Sequence, residues 1–124
     1  MTKLLALALG GAAGTLSRYW LSGFAQRLFG SSFPFGTFAV NMTGCLLFGL
    51  VWGFFENRTG ISTEFRLLLL TGFMGAFTTF STYMFETAAL LRHCQLMLLL
   101  ANVAGQSLIG LCLVLAGMAL GRMT

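Results

Sequence analysis

Three stretches of the chain run without a charged residue for long enough to cross a bilayer, which takes about 20 apolar residues in a helix. Residues 33–55 end at Glu56-Asn57-Arg58, residues 67–85 end at Glu86, and residues 96–121 end at Arg122. A fourth stretch, residues 4–29, is interrupted in its second half by Arg18, Gln26 and Arg27. Lys3 followed by leucines and alanines also resembles a signal peptide. That reading would leave a three-span remnant with no polar mature domain behind it. The pattern therefore predicts an all-α integral membrane protein with four transmembrane helices, at residues 4–29, 33–55, 61–91 and 96–121. The connections between them are short, so residues 1–124 form a single domain whose function lies within the spans.

Composition narrows the class further. The chain is 57% hydrophobic and 8% charged, whereas soluble domains carry about a quarter charged residues. Cys45, Cys94 and Cys112 are odd in number and widely spaced, which suits small apolar packing better than a disulfide framework. The net charge of +4 favours contact with anionic lipid headgroups. The basic residues form no patch, so nucleic acid is not an expected partner.

Charge placement bears on orientation. Lys3, Arg58, Arg66 and Arg122 would lie on one side of the membrane, and Arg18, Arg27 and Arg92 on the other. Four against three is a weak signal under the positive-inside rule. Either packing or a partner sets the orientation, or the chain inserts both ways and pairs as an antiparallel dimer. Gly10/Gly14, Gly49/Gly53 and Gly117/Gly121 have the small-xxx-small spacing of closely packed helices.

Polar residues inside spans are costly unless partnered, so they are the first candidates for function. The third span holds Gly72-Phe73-Met74-Gly75-Ala76-Phe77-Thr78-Thr79-Phe80-Ser81-Thr82-Tyr83. As one helix, residues 61–91 would run about 46 Å, longer than the hydrocarbon core. A break near residues 75–79, in mid-membrane, resolves the excess, with Gly75 supplying backbone freedom. A packed kink with its hydroxyls bonded to the preceding turn is the plainer alternative. Thr37, Asn41 and Gly44 share one helix face in the second span, and Asn102, Gln106 and Ser107 add polar groups in the fourth.

These side chains are neutral hydrogen-bond donors beside aromatic ring edges, with no carboxylate among them before Glu86. Weak, multiple donor sites suit a small, hard anion that must shed water and still leave. His93 is the only histidine, and no nucleophile–base pair is evident, so an enzyme is not expected.

Gly10-Gly11-Ala12-Ala13-Gly14 with Arg18, then residues 36–44, then residues 72–82 with Glu86, resemble the Fluc (CrcB) family of fluoride channels. The resemblance covers nearly the whole chain. It implies a passive, fluoride-selective channel in the bacterial inner membrane, multi-pass, exporting fluoride and reducing its toxicity. It also implies an antiparallel, dual-topology homodimer with two pores. Asn41 and Phe80 match pore residues, and Tyr83 stands where the family has a second phenylalanine. Asn102 and Gln106 align with a fourth-span tyrosine and serine. Candidate pore positions are thus Asn41, Phe80, Tyr83, Ser81, Thr82, Thr37, Gln106 and Ser107, with Arg18 at the vestibule. The resemblance further implies a structural sodium ion at the dimer interface, held by the backbone carbonyls of Gly75 and Thr78.

The rival reading is a small proton-coupled multidrug exporter of dual topology, which would need a coupling carboxylate within the membrane. A non-transporting assembly subunit is a third class, and it would not need Asn41, the hydroxyls and the rings at one depth. Two variants follow from the channel reading. Gly75→Val should disrupt assembly. Asn41→Asp should leave packing unchanged and block the anion.

Overall fold

The computed structural model describes residues 1–124 apart from residues 57 and 59. Asn57, read as part of the exit from the second span, lies outside the described residues. The described chain is helical, with α1 (Thr2–Phe29), α2 (Phe35–Glu56), α3 (Thr63–Arg66), a π-helical segment (Leu67–Met74), α4 (Gly75–Phe77), α5 (Phe80–Arg92) and α6 (Leu96–Arg122). Phe35–Glu56, Thr63–Arg92 and Leu96–Arg122 are long and apolar enough to cross a membrane. Helix α1 has the length but is not among them, because Ser17, Arg18, Ser22 and Gln26 dilute its apolar character.

Burial is arranged for lipid rather than water. Leu4, Leu9, Trp20, Phe85, Leu108 and Leu111 are exposed, whereas Asn102 is completely buried and Thr37 and Gln106 nearly so. In water this would leave a large apolar surface uncovered. In a bilayer the apolar shell is solvated, and the polar groups meet each other inside.

The glycine pairs set the helix spacing within this chain. A side chain on Gly49 or Gly53 would strike the backbone of Val114 or Met118, and one on Gly117 or Gly121 would strike Leu46 or Leu50. Both partners advance together along the sequence, so α2 and α6 run parallel. Gly10 and Gly14 likewise admit the backbone of Leu68 and Phe73 against α1. All three small-xxx-small pairs therefore serve packing within one chain.

Two elbows fix the hand-overs. Gln26 donates through Nε2 to the carbonyls of Gly30 and Phe33, and its Oε1 accepts from the N–H of Gly36 at 3.0 Å, closing the first turn of α2. Between α5 and α6, Cys94 takes φ 55°, and the N–H of Gln95 donates back to the carbonyl of Leu90 at 2.9 Å. This reverses the chain in three residues.

The backbone leaves the helix at the far end of the expected residues 75–79, and not at Gly75. Gly75 is ordinary right-handed helix, at φ −63° and ψ −33°. The backbone becomes extended at Thr78 (φ −80°, ψ 158°) and Thr79 (φ −146°, ψ 122°), and helix resumes at Phe80. Glycine's conformational freedom is not used here. The extended pair are β-branched threonines, whose side chains favour that backbone.

Candidate functional site

Thr79 caps α5: its Oγ1 accepts from the N–H of Thr82 and donates to Thr82 Oγ1 at 3.0 Å. Its own peptide groups are held from across the bundle. Asn41 Oδ1 accepts from the N–H of Thr79 at 2.9 Å, and Asn41 Nδ2 donates to the carbonyl of Thr79 at 3.0 Å. The amide thus stands in for a neighbouring strand, and its orientation is fixed because a flip would set donor against donor. Gly44, one turn on from Asn41, has no side chain to obstruct Thr78 and Phe77.

From Asn41 the hydrogen bonds continue in one direction. Asn41 Nδ2 donates to Gln106 Oε1 at 2.7 Å, and Gln106 Nε2 donates to Asn102 Oδ1 at 2.9 Å. Asn102 Nδ2 donates to Thr87 Oγ1 at 3.0 Å, and Thr87 Oγ1 donates to the carbonyl of Tyr83 at 2.7 Å. Three amides and a hydroxyl tie α2, α5 and α6 together. Both N–H groups of Asn41 are engaged by protein acceptors, although the sequence had suggested an NH₂ group facing an ion.

The sequence-predicted site residues fall around two neighbouring cavities. A central cavity of about 390 Å³ is lined by Asn41, Thr79, Phe80, Tyr83, Gln106 and Ser107, among others. Phe80 and Tyr83 have ring centroids 5.9 Å apart, with Phe80 largely exposed and Tyr83 buried. A second cavity of about 540 Å³ gathers Arg18, Ser22, Gln26, Thr37 and Thr82, and it shares Thr79 with the first. A third, of about 310 Å³, shares Gln26 with the second and holds Glu86 and His93 near one end of the bundle. Ser81 is exposed and lines none of these, and Asn102 is sealed inside the amide relay.

The same interruption leaves carbonyls bare. In an unbroken helix the N–H of Thr79 would donate to Gly75, and that of Thr82 to Thr78. Here the first goes to Asn41 and the second to Thr79 Oγ1, so neither carbonyl accepts a bond from another described group. Gly75 is exposed, and its α-carbon has nothing from this chain within 4 Å of where a side chain would begin. The carbonyls of Ala76 and Phe77 accept no described bond either, as at any helix end, and unpartnered hard oxygens near an open face have the chemistry that a small, hard cation selects. Gly75 and Thr78 therefore fit the donor set expected for sodium.

A family model described as CrcB-like protein, Camphor Resistance (CrcB), matches residues 5–118. The chain belongs to the CrcB family. Its relatives include a fluoride-specific ion channel FluC from Maridesulfovibrio salexigens, 58% identical over 99% of this chain and 98% of that protein. Proteins of the same name from Solidesulfovibrio magneticus and Nitratidesulfovibrio vulgaris are 53% and 50% identical, each over 99% of this chain and over 98% and 99% of their own lengths.

Two functional contacts went unread in the sequence. Thr37 Oγ1 donates to Glu86 Oε1 at 2.7 Å, which joins the second cavity to the third, while Glu86 Oε2 is buried without a partner among the described residues. Thr79 is the residue that both caps α5 and receives Asn41. Its spacing to Thr82 is an N-cap signature that was legible in principle.

Proposed function

We propose that this membrane protein is one subunit of a passive, fluoride-selective channel, not an enzyme, that lets fluoride leave the cytoplasm and so reduces its toxicity. The carrying observation is the near-complete, 58% identical match to a fluoride-specific ion channel of the same length class. The arrangement of the cavities supports the reading. Neutral polar side chains and aromatic rings line the central cavity, and Arg18 lines the neighbouring one. A cation at the entrance draws an anion in, and uncharged donors beyond it exchange for water without trapping the ion.

In this proposal the interruption at Thr78–Thr79 lies in mid-membrane and α1 also crosses, which makes four spans in a single domain over residues 1–124. Asn41, Phe80, Tyr83, Thr37, Thr82, Gln106 and Ser107 border the ion's path, Ser81 meets it from the exposed side of α5, and Arg18 forms its vestibule. Two copies pair antiparallel in the bacterial inner membrane, in dual topology. A sodium ion sits between them on the carbonyls of Gly75 and Thr78, where its charge would balance oxygens that the helix leaves without partners.

Purified protein in liposomes provides the test. Fluoride should leave without an imposed proton gradient, and chloride should be retained. Fluoride retention by a correctly folded, reconstituted protein would defeat the channel reading. Fluoride movement only in the presence of a proton gradient would return the exporter class to consideration.

A further inference from the structure

The central cavity has few hydrogen-bond donors that are not already engaged. Asn41 uses both N–H groups on Thr79 and Gln106. Thr78 Oγ1 donates to the carbonyl of Met74 at 3.0 Å, and Thr79 Oγ1 donates to Thr82. Met42, Cys45, Phe48 and Val114 complete the wall with apolar or weakly polar surface. Gln106 spends one Nε2 N–H on Asn102, and beside its second N–H two hydroxyls remain. Ser107 is exposed and donates to no described group, and the Tyr83 hydroxyl has neither a described partner nor a place among the buried polar atoms that lack one.

Resting on the channel reading above, we propose that Tyr83 Oη and Ser107 Oγ are the hydroxyl donors that hold the partly dehydrated anion in the central cavity, and that Asn41 acts as a positioning residue behind them. The amide relay has the geometry for that second role. Its last bond, from Thr87 to the Tyr83 carbonyl, fixes the backbone carrying one hydroxyl. Gln106, clamped between Asn41 and Asn102, precedes the residue carrying the other. A small anion gains most from short O–H donors, because these replace the water it sheds. The apolar remainder of the wall disfavours any ion that keeps its hydration shell.

The experiment compares wild type, Tyr83→Phe, Ser107→Ala and Ser107→Thr in liposomes, after each elutes as the wild-type species from size exclusion. Initial fluoride efflux is read against internal fluoride concentration, with chloride alongside. A hydrogen bond to a charged group contributes enough that its loss lowers occupancy by about tenfold or more. Tyr83→Phe and Ser107→Ala should each lower efflux at sub-saturating fluoride by about tenfold and raise the half-saturating concentration, whereas Ser107→Thr should retain wild-type behaviour. A residue that only packs would not move the half-saturating concentration while leaving elution unchanged. If Tyr83→Phe does not fold, the serine pair decides alone. Efflux within about threefold of wild type from either folded hydroxyl-deleted variant overturns the assignment, well under the loss expected for a charged hydrogen bond. An inactive wild type would instead overturn the channel reading.

Discussion

On one side of the interruption between α4 and α5, the peptide groups of Thr79 are completed inside the chain by Asn41, which Gln106 and Asn102 support in turn. On the other side, the carbonyls of Gly75 and Thr78 point to no partner among the described residues, and Gly75 lies open. Asn41 accounts for the first condition and for part of the second, because the Thr78 carbonyl loses the N–H of Thr82 to Thr79 Oγ1 instead. By taking the N–H of Thr79, Asn41 satisfies the α5 side and strips Gly75 of its helical donor. An unmet backbone group at membrane depth is costly. In the proposed dimer, a cation shared with a second copy would give such carbonyls a partner.

The largest effect should come from removing the amide that separates the two sides. Asn41→Asp still accepts from the N–H of Thr79. Its second oxygen, however, faces the Thr79 carbonyl and Gln106 Oε1, acceptors now 3.0 and 2.7 Å from Nδ2. Two part-buried acceptors lose their donor, at up to about 1–3 kcal/mol each before any repulsion. The expected outcome is a markedly lower melting temperature in detergent and loss of the dimer peak on size exclusion. The sequence alone favours a folded but blocked channel, because the two side chains have nearly the same volume. A wild-type melting temperature for the variant would return Asn41 to that role.

Gly75→Val sharpens the other half of the comparison. Gly75 has right-handed helical angles and nothing from its own chain near the position of a new side chain. Each subunit should therefore keep its helical content by circular dichroism, and helix propensity costs little against glycine. In the proposed pair, a defect is expected where the second copy approaches. Overpacking there costs about 1–3 kcal/mol, enough to convert much of the dimer to monomer at low concentration. Unchanged dimerisation would place the open face, and the cation site with it, away from the interface.

Much of this was legible as periodicity and charge. The apolar stretches stop at Glu56, Glu86 and Arg122 because charges resist the hydrocarbon; helices end at Glu56 and Arg122, whereas α5 runs past Glu86 to Arg92. Thr37, Asn41 and Gly44 were placed on one face, and that face does meet the interruption. Periodicity identifies a face, but it does not name the partner of each residue on it. Thr37 reaches Glu86 while Asn41 reaches Thr79, because α5 starts at a new angle after two extended residues. The π-helical turn at Leu67–Met74 lies in a leucine-rich run whose side chains carry no phase information. Gly75 drew attention as the residue most able to leave the helix, yet Thr78 and Thr79 leave it. Thr79 Oγ1 gives the displaced N–H of Thr82 a partner, whereas the Thr78 hydroxyl doubles the bond to the Met74 carbonyl.

The smallest effect should come from the cap. Thr79→Ala removes the Oγ1 that accepts from the N–H of Thr82 and donates to Thr82 Oγ1, while the Thr79 peptide groups stay bridged to Asn41. A lost N-cap typically costs about 1 kcal/mol. For a chain of this size that is a fall in melting temperature of about 2–8 °C. Thr79→Ser keeps the oxygen and should recover most of the loss, although the missing methyl slightly weakens the extended preference. The ratio of the two losses is the informative quantity. If Asn41→Asp destabilises several times more than Thr79→Ala, the amide bridge holds the interruption and the cap only trims it. If the two losses are equal, local capping by Thr79 sets the break, and the relay through Gln106 and Asn102 is a consequence of the bend rather than its cause.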